Sequence, residues 1–167
     1  MATKTYTFTG KASWAKLSEA NRDMYEWNAE TMKFNKESST NGRYSIQLEM
    51  NSSDYRELKK TGSMSAKHSK VSDDGFDVVR FNRPHEKYNF KGELMAFASG
   101  APKVTDATGK SWDWEKDGLI GNGSEVEVTV SVYDTKYQPG TRLESVKVID
   151  LVPYESVSAD ETEEAPF

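Results

Sequence analysis

Alternating apolar and polar residues predict the main strands of this chain. Four valines alternate with polar residues across 125–132, and Tyr, Ile, Leu and Met alternate with polar residues across 44–50. A period of two with one apolar side is typical of a half-buried strand. A third β-rich run covers 141–152, where the apolar positions change face between Leu143 and Val146. We interpret this change of face as a β-bulge.

One short helix is predicted over residues 51–62, because serines can cap its start, an aspartate lies in its first turn and two lysines lie in its last turn. Weaker β signals occur at 5–11, 76–81 and 103–106. Roughly six strands and one helix predict an all-β barrel or sandwich. Residues 14–36 mix aromatic and charged side chains without a period, so a loop, a helix or both are compatible with that stretch.

The length of 167 residues indicates a single domain. The chain has no cysteine and two histidines, which excludes disulfides, a thiolate nucleophile and the usual Cys-rich or His-rich zinc sites. This composition leads us to expect an intracellular protein. Charged residues interrupt the apolar stretches and the N-terminus has no apolar segment, so neither a membrane span nor a secretion signal is predicted.

Charge is distributed unevenly along the chain. The formal net charge is −5, and residues 155–167 contain five acidic and no basic side chains, so residues 1–154 are neutral. Residues 59–91 contain eight basic and four acidic side chains, with four aromatic residues between them. Such a segment suits a nucleic-acid strand, and a solvated charged face is the simpler alternative.

Three segments resemble functional motifs but lack a required residue. Residues 108–111 resemble the end of a phosphate-binding loop without its first glycine, and we predict a β-turn there. Residues 121–123 begin like a dinucleotide-binding loop, but a strand follows where a helix is needed. Residues 113–120 resemble an EF-hand calcium loop whose twelfth position is Ser124 instead of glutamate. No catalytic, metal or cofactor site is therefore predicted.

Four short segments, taken in chain order, carry a resemblance to a known family. They are Gly-Arg-Tyr-Ser-Ile-Gln-Leu at 42–48 before the predicted helix, Val-Thr-Asp-Ala-Thr-Gly-Lys at 104–110, Ile-Gly-Asn-Gly-Ser at 120–124 and Leu-Glu-Ser-Val at 143–146. With the acidic tail that ends in Phe167, they resemble the single-stranded-DNA-binding proteins of short-tailed lytic bacteriophages. The resemblance implies an OB-fold barrel over 1–154 with one short inserted helix, followed by a disordered acidic tail over 155–167.

The same resemblance implies a function. It is sequence-independent binding of single-stranded DNA during phage DNA replication, recombination and repair, without catalytic activity or cofactor, in the cytoplasm of the infected host. The tail is expected to compete with DNA for the groove and to recruit the phage DNA polymerase and helicase–primase. Its candidate partner-binding residues are Glu161, Glu163, Glu164 and Phe167. A homodimer is compatible with the sequence.

A cationic strand supplies the first candidate DNA contacts. The segment Val-Arg-Phe-Asn-Arg is similar to a strand of the family's binding face, and alternation places Arg80 and Asn82 on the face opposite its apolar residues. Arg80 is predicted to contact phosphate, and Arg83, at the end of the strand, is predicted to reach the groove. Three lysines of the basic segment are further candidates: Lys67, Lys70 and Lys87.

The loop at 133–140 would join the last two barrel strands, and the corresponding loop of an OB-fold borders the groove. Its candidate residues are Tyr133 and Tyr137 for stacking and Lys136 for phosphate, with a core-capping role as the alternative for the first tyrosine. Trp112 and Trp114 alternate across a predicted short strand, so we expect one in the core and the other exposed.

Two other functions are compatible with the sequence. A structural or assembly β-domain of a virion would use the acidic tail only for solubility. A metal-dependent nuclease would need a carboxylate cluster, which the spacing of Asp and Glu does not select. Quenching of the intrinsic Trp and Tyr fluorescence by a poly-dT oligonucleotide would separate DNA binding from the virion role.

Overall fold

The computed structural model describes residues 3–67, 70–71, 75–135 and 139–153. The strands in these residues are β1 (Thr3–Lys16), β2 (Tyr25–Asn28), β3 (Lys33–Glu37), β4 (Arg43–Met50), β5 (Lys70–Val71), β6 (Asp77–Pro84), β7 (Lys103–Thr105), β8 (Glu125–Tyr133) and β9 (Gly140–Asp150). The helices are α1 (Ser52–Lys60) and the single turn α2 (Met64–Lys67). In this part of the chain, neither helix has the length and apolar character needed to cross a bilayer. The predicted tail, residues 155–167, lies outside the described residues.

Seven strands form one sheet in the order β5-β6-β4-β1-β8-β9-β7. Neighbouring strands are antiparallel except for β7 and β9, which are parallel. The central five, β6-β4-β1-β8-β9, form the partly open Greek-key barrel of an OB-fold. β2 and β3 form a separate hairpin between the first and second barrel strands. The predicted all-β OB-fold is confirmed.

β1 crosses both halves of the barrel, because its start pairs with β8 and its end pairs with β4. Gly10 belongs to both ladders, opposite Met50 on β4 and Val126 on β8. A Cβ at this position would collide with the carbonyl oxygen of Glu49. Glycine is therefore required where the backbones of two strands approach most closely.

The apolar residues of the two alternating strands, β4 and β8, form much of the core. The four valines of β8 and the four apolar residues of β4 all face inward and are buried. Phe8 of β1 stacks on Phe81 of β6, with the ring centroids 6.3 Å apart. The register between β8 and β9 skips Glu144 between Leu143 and Ser145. The predicted bulge is thereby confirmed.

The structure differs from the sequence-based expectation at the start of α1 and in the first long connection. Asn51 caps α1, since its Oδ1 accepts the backbone N–H of Asp54 at 2.7 Å, and neither of the two following serines does so. Residues 14–36 contain the end of β1, a short turn of 3-10 helix at Glu19–Asn21 and the first part of the β2–β3 hairpin. The end of β1 in this stretch is fixed by pairing with β4, and β2 is fixed by pairing with β3, so neither strand needs a hydrophobic period of its own.

The two neighbouring tryptophans correct a further prediction. Trp112 and Trp114 are both half-buried against the core and meet edge to face, with ring centroids 6.3 Å apart. The indole N–H of Trp112 donates to the carbonyl of Gly118 at 2.9 Å. They lie in a turn, where Asp117 accepts the backbone N–H of Asp113, instead of in a strand. The prediction of one core and one exposed tryptophan is therefore wrong.

Arg83 links β6 to β9 from inside the barrel. Its side chain is 8% exposed, and its five hydrogen bonds match the five N–H groups of a guanidinium. The acceptors are the carbonyls of Gly100 (2.8 Å), Leu143 (3.3 Å), Phe97 (3.1 Å) and Ser99 (3.0 Å) and the Oε1 of Glu144 (2.7 Å). Arg83 does not reach the groove as predicted, because it faces inward with the buried residues of β6 and its donors are used within the protein.

Glu144 gives this network a pH dependence. Burial raises the pKa of its carboxyl, but the hydroxyl of Ser131 and the guanidinium groups of Arg142 and Arg83 outweigh burial and hold the pKa below its usual range. Because the folded-state pKa lies below the unfolded value of about 4.3, the carboxylate contributes stability above that pH. This stability is lost as the pH falls through the folded-state value.

We expect Glu144→Gln to remove that contribution. The free energy of unfolding of the wild type should fall more steeply between about pH 5 and pH 3 than that of the variant. Urea denaturation followed by circular dichroism at several pH values measures both slopes. Equal slopes for the two proteins would contradict the role assigned to Glu144.

Candidate nucleic-acid interface

The outward face of β4 and β6 is the surface that an OB-fold offers to oligonucleotides, together with the loops beside it. Gln47 lies opposite Arg80 in the ladder between these strands, and Ser45 lies opposite Asn82. Arg80 is exposed and Asn82 is half-buried, while the residues between and beside them are buried on the inward face. The predicted placement of these two side chains on one face is confirmed.

A basic cleft of about 420 Å³ lies on this face beside the β2–β3 hairpin. Its charged residues are the cations Lys16, Arg22, Arg43 and Arg80 and the acid Asp23. Arg22 is fixed by hydrogen bonds from Nε to the carbonyl of Asn41 (2.9 Å) and from Nη1 to the carbonyl of Glu19 (2.6 Å). Tyr25, also in the wall, is 51% exposed. Excess positive charge beside an exposed ring is the composition of a surface that binds single strands.

An aromatic cleft of about 320 Å³ lies between β6 and the paired ends of β8 and β9. Its lining includes Asn82, Lys87, Phe97, Tyr133 and Arg142. The guanidinium carbon of Arg142 lies 5.3 Å from the ring centroids of both Phe97 and Tyr133, within the range of a cation–π contact. The ring of Tyr133 also covers Gly140, where a Cβ would lie 2.5 Å from the ring. Phe97 is 66% exposed and presents its ring to the cleft.

The Arg83 network fixes the orientation of this aromatic cleft. Glu144 accepts Nη2 of Arg142 on Oε2 at 2.9 Å and Nη1 of Arg83 on Oε1 at 2.7 Å. The hydroxyl of Ser131 donates to the same Oε2 at 2.6 Å. Arg142 is therefore held by a carboxylate and by contacts with two rings.

The basic cleft and the aromatic cleft meet on β6. Arg80 lines the first and Asn82, two residues later on the same face, lines the second. Among the described residues, Oδ1 of Asn82 is the one buried side-chain polar atom without a hydrogen-bond partner. A buried acceptor left unpaired costs about 1–3 kcal/mol, so a donor brought by a ligand would stabilise this position.

The structure brings together four of the predicted binding residues: Arg80, Asn82, Lys87 and Tyr133. Lys70 is exposed on β5 at the sheet edge and lines neither cleft. The side chain of Lys67, the loop residues Lys136 and Tyr137, and the tail residues Glu161, Glu163, Glu164 and Phe167 lie outside the described residues. Their assignment stays a prediction.

Sequence reasoning missed Lys16 and five further cationic or aromatic cleft residues: Arg22, Tyr25, Arg43, Phe97 and Arg142. Alternation would have found Arg43, because it precedes the buried Tyr44 on β4 and therefore faces outward. Arg22, Tyr25 and Phe97 lie in segments without hydrophobic alternation, and Arg142 lies on β9 beside the bulge at Glu144. Local sequence carries no signal for their position.

The motif-like turns use their carboxylates internally. The N–H of Gly109 donates to the carbonyl of Asp106 at 3.0 Å, so the β-turn spans 106–109, two residues before the predicted position, and Oδ1 of Asp106 accepts the backbone N–H of Thr108 (2.9 Å) and of Lys110 (3.0 Å). The hydroxyl of Thr108 and the N–H of Lys110 lower the pKa of Asp106. Asp113 likewise accepts the backbone N–H of Glu115 at 3.0 Å. Within the residues that the structure describes, no group of three or more His, Asp or Glu is placed to hold a metal ion.

Comparison with known proteins identifies structural relatives alone. No protein-family model and no curated protein matches the sequence. The fold is similar to the crystal structure of gp2.5, a single-stranded DNA binding protein encoded by bacteriophage T7, with a TM-score of 0.55, 20% identity, and coverage of 99% of this chain and 96% of that chain. This chain has the fold of phage single-stranded-DNA-binding proteins.

Two structures of a second phage protein support the same assignment of fold. The single-stranded DNA-binding protein from bacteriophage Enc34 has a TM-score of 0.51 at 15% identity, covering 97% of this chain and 90% of that one. Its complex with single-stranded DNA has a TM-score of 0.51 at 14% identity, covering 91% and 89%. Identities this low establish a shared fold, and function has to be argued from the site.

We expect Arg80→Ala to weaken binding of a single-stranded dT oligonucleotide. For this variant, the slope of log affinity against log salt should be shallower than that of the wild type by about 0.7, the value for one phosphate contact on a single strand. Fluorescence anisotropy titrations at several NaCl concentrations measure the slope. Arg56→Ala is the matched control, because Arg56 is exposed on α1 and lines neither cleft. An unchanged slope for Arg80→Ala would place the phosphate path elsewhere.

Proposed function

We propose that this protein binds single-stranded DNA without sequence preference, in a groove formed by the basic cleft and the aromatic cleft. The observation that carries the proposal is their meeting on β6, with Arg80 in one cleft and Asn82 in the other. Single strands are bound by cations that follow the phosphates and by rings on which bases stack. Cations line the basic cleft and rings line the aromatic cleft, and β6 contributes residues to both.

The basic cleft would hold phosphates. Arg22, Arg43 and Arg80 present guanidinium groups, whose planar donors match phosphate oxygens in pairs. Arg22 is already fixed by two carbonyls, which lowers the conformational entropy lost when a phosphate binds. A strand would therefore meet a partly preorganised row of cations.

The aromatic cleft would hold bases. Phe97 is 66% exposed, and the rings of Phe97 and Tyr133 both contact the guanidinium of Arg142. Each base stacked on such a ring contributes about 1–3 kcal/mol, and every base has a ring face to offer. Stacking of this kind binds strongly without selecting a sequence.

The structural relatives support this proposal. T7 gp2.5 and the Enc34 protein are described as single-stranded DNA-binding proteins, and the latter has been solved with single-stranded DNA. One fold can host many functions. The proposal therefore rests on the residues that line the two clefts, and the shared fold agrees with it.

We also propose a non-catalytic role in phage DNA replication, recombination and repair in the host cytoplasm. Residues 155–167 carry five acids and no base, and a tethered polyanion is present at high effective concentration near a cationic groove. It would compete with DNA. On release, Phe167 with Glu161, Glu163 and Glu164 would recruit the phage DNA polymerase and helicase–primase through an apolar and basic pocket on the partner.

Titration with oligo-dT tests the binding activity. We expect affinity for single-stranded dT to fall as NaCl rises from about 50 to 200 mM, with a log–log slope of about −0.7 per phosphate contacted. Intrinsic Trp and Tyr fluorescence should be quenched as bases stack. A duplex of equal length is the control and should bind more weakly. Equal affinity for the duplex, or no binding at all, would contradict the proposal and leave a virion structural role.

Deletion of residues 155–167 tests the tail. We expect the truncated protein to bind single-stranded dT about tenfold more tightly, or about 1.4 kcal/mol, at low salt where screening is weak. Phe167→Ala should keep the wild-type DNA affinity and lose binding to the phage DNA polymerase in a pull-down. Wild-type DNA affinity after truncation, together with polymerase binding by Phe167→Ala, would refute both parts of the tail mechanism.

A further inference from the structure

The segment between β6 and β7 carries an exposed apolar surface beyond the groove. Phe90 is 95% exposed, and its neighbours Tyr88 and Leu94, which pair across a turn, are 46% and 54% exposed. We name residues 87–95 the tip hairpin. Apolar side chains gathered on one exposed element mark a binding surface.

The tip hairpin is held in one shape by its own hydrogen bonds. Oδ1 of Asn89 accepts the backbone N–H of Lys91 (2.9 Å) and of Glu93 (3.0 Å). The N–H of Asn89 donates to the carbonyl of Glu93 at 2.9 Å, and the N–H of Met95 donates to the carbonyl of Lys87 at 2.7 Å. The ring at the tip is therefore presented from an ordered turn, and binding to it costs little conformational entropy.

The base of the tip hairpin belongs to the aromatic cleft. Lys87 and Phe97 both line that cleft. Ser99 joins the two arms, because its Oγ accepts the N–H of Lys87 (2.8 Å) and donates to the carbonyl of Met95 (2.8 Å). Arg83 then fixes the carbonyls of Phe97 and Ser99 to the barrel. A DNA strand bound in the aromatic cleft would therefore emerge from the cleft beside the tip hairpin.

The tip hairpin pairs a ring with a cation. Nζ of Lys91 lies 5.8 Å from the ring centroid of Phe90. Among the described residues, neither Lys87 nor Lys91 takes part in an ion pair. Glu93, the acid of the hairpin, is hydrogen-bonded to Nδ2 of Asn89 at 3.4 Å. A ring beside an ammonium group offers one contact to a base and one to a phosphate.

We propose that single-stranded DNA leaving the aromatic cleft continues along the tip hairpin, with a base stacked on Phe90 and a phosphate at Lys91. This inference rests on the proposed function and extends its binding site beyond the barrel. One OB-fold covers about 4–16 nucleotides, so a short strand fills the groove and a longer one reaches the tip. A second copy of the chain or a partner protein would use the same apolar surface regardless of strand length.

Two oligonucleotide lengths test the extension, dT of about 5 and of about 20 nucleotides. We expect Phe90→Leu, which keeps an apolar side chain but lacks a ring, to bind the longer strand about tenfold more weakly and the shorter strand like the wild type. Phe90→Trp should restore affinity, and its added fluorescence should be quenched by the longer strand alone. Lys91→Ala should reduce the salt slope by about 0.7 for the longer strand, whereas Lys103→Ala, on β7, should not.

The outcomes distinguish this inference from the proposed function. If the wild type binds dT of neither length, the proposed function fails and the extension fails with it. If the wild type binds both and Phe90→Leu matches it at both lengths, the extension alone is overturned. Analytical ultracentrifugation then shows whether Phe90→Leu changes self-association, which would assign the surface to a second copy. Because Phe90 is 95% exposed, thermal unfolding of these variants should match the wild type.

Discussion

The five hydrogen bonds of Arg83 connect β6, β9 and residues 97–100 through one side chain. In the described sheet β6 and β9 share no ladder, and Arg83 spans them through the carbonyl of Leu143 and the carboxylate of Glu144. The same guanidinium binds the segment that forms one wall of the aromatic cleft. Loss of this guanidinium would leave the carboxylate of Glu144 and the carbonyls of the cleft wall without these donors, which would weaken both the barrel seam and the wall.

Arginine serves three distinct purposes in this fold. Arg83 is buried and structural, Arg142 contacts two rings and the carboxylate of Glu144, and Arg80 is exposed on the outward face of β4 and β6. The planar guanidinium suits each place, because it can donate to several carbonyls, stack on rings or match phosphate oxygens. The carboxylate that Arg83 and Arg142 share also fixes Arg142, the cation that both rings contact, and a fixed cation loses less conformational entropy on binding.

The sequence was informative where one face of a strand is buried. In β4 and β8 every second residue is apolar and buried, so the sequence shows directly which side of each strand faces the core. The same alternation on β6 places Arg80 and Asn82 on one outward face. Arg83 lies on the inward side of β6 with Val79 and Phe81, as alternation requires. Its charge, however, led to the prediction that it faces the groove. Its acceptors lie up to 61 residues away along the chain, and no local pattern encodes them. Phe97 joins the cleft through such contacts, so its position also required the fold.

The central position of β1 has a consequence for how the chain is made. Thr3 pairs with Tyr133 and Gly10 with Val126, so β1 waits for a strand that lies more than 100 residues further along the chain. Contacts at this sequence separation are slow to form. At a synthesis rate of about 5–20 residues per second, β1 and β4 leave the ribosome several seconds before β8 can pair with β1. The unpaired edge of β1 is exposed throughout that interval and needs protection from other nascent chains.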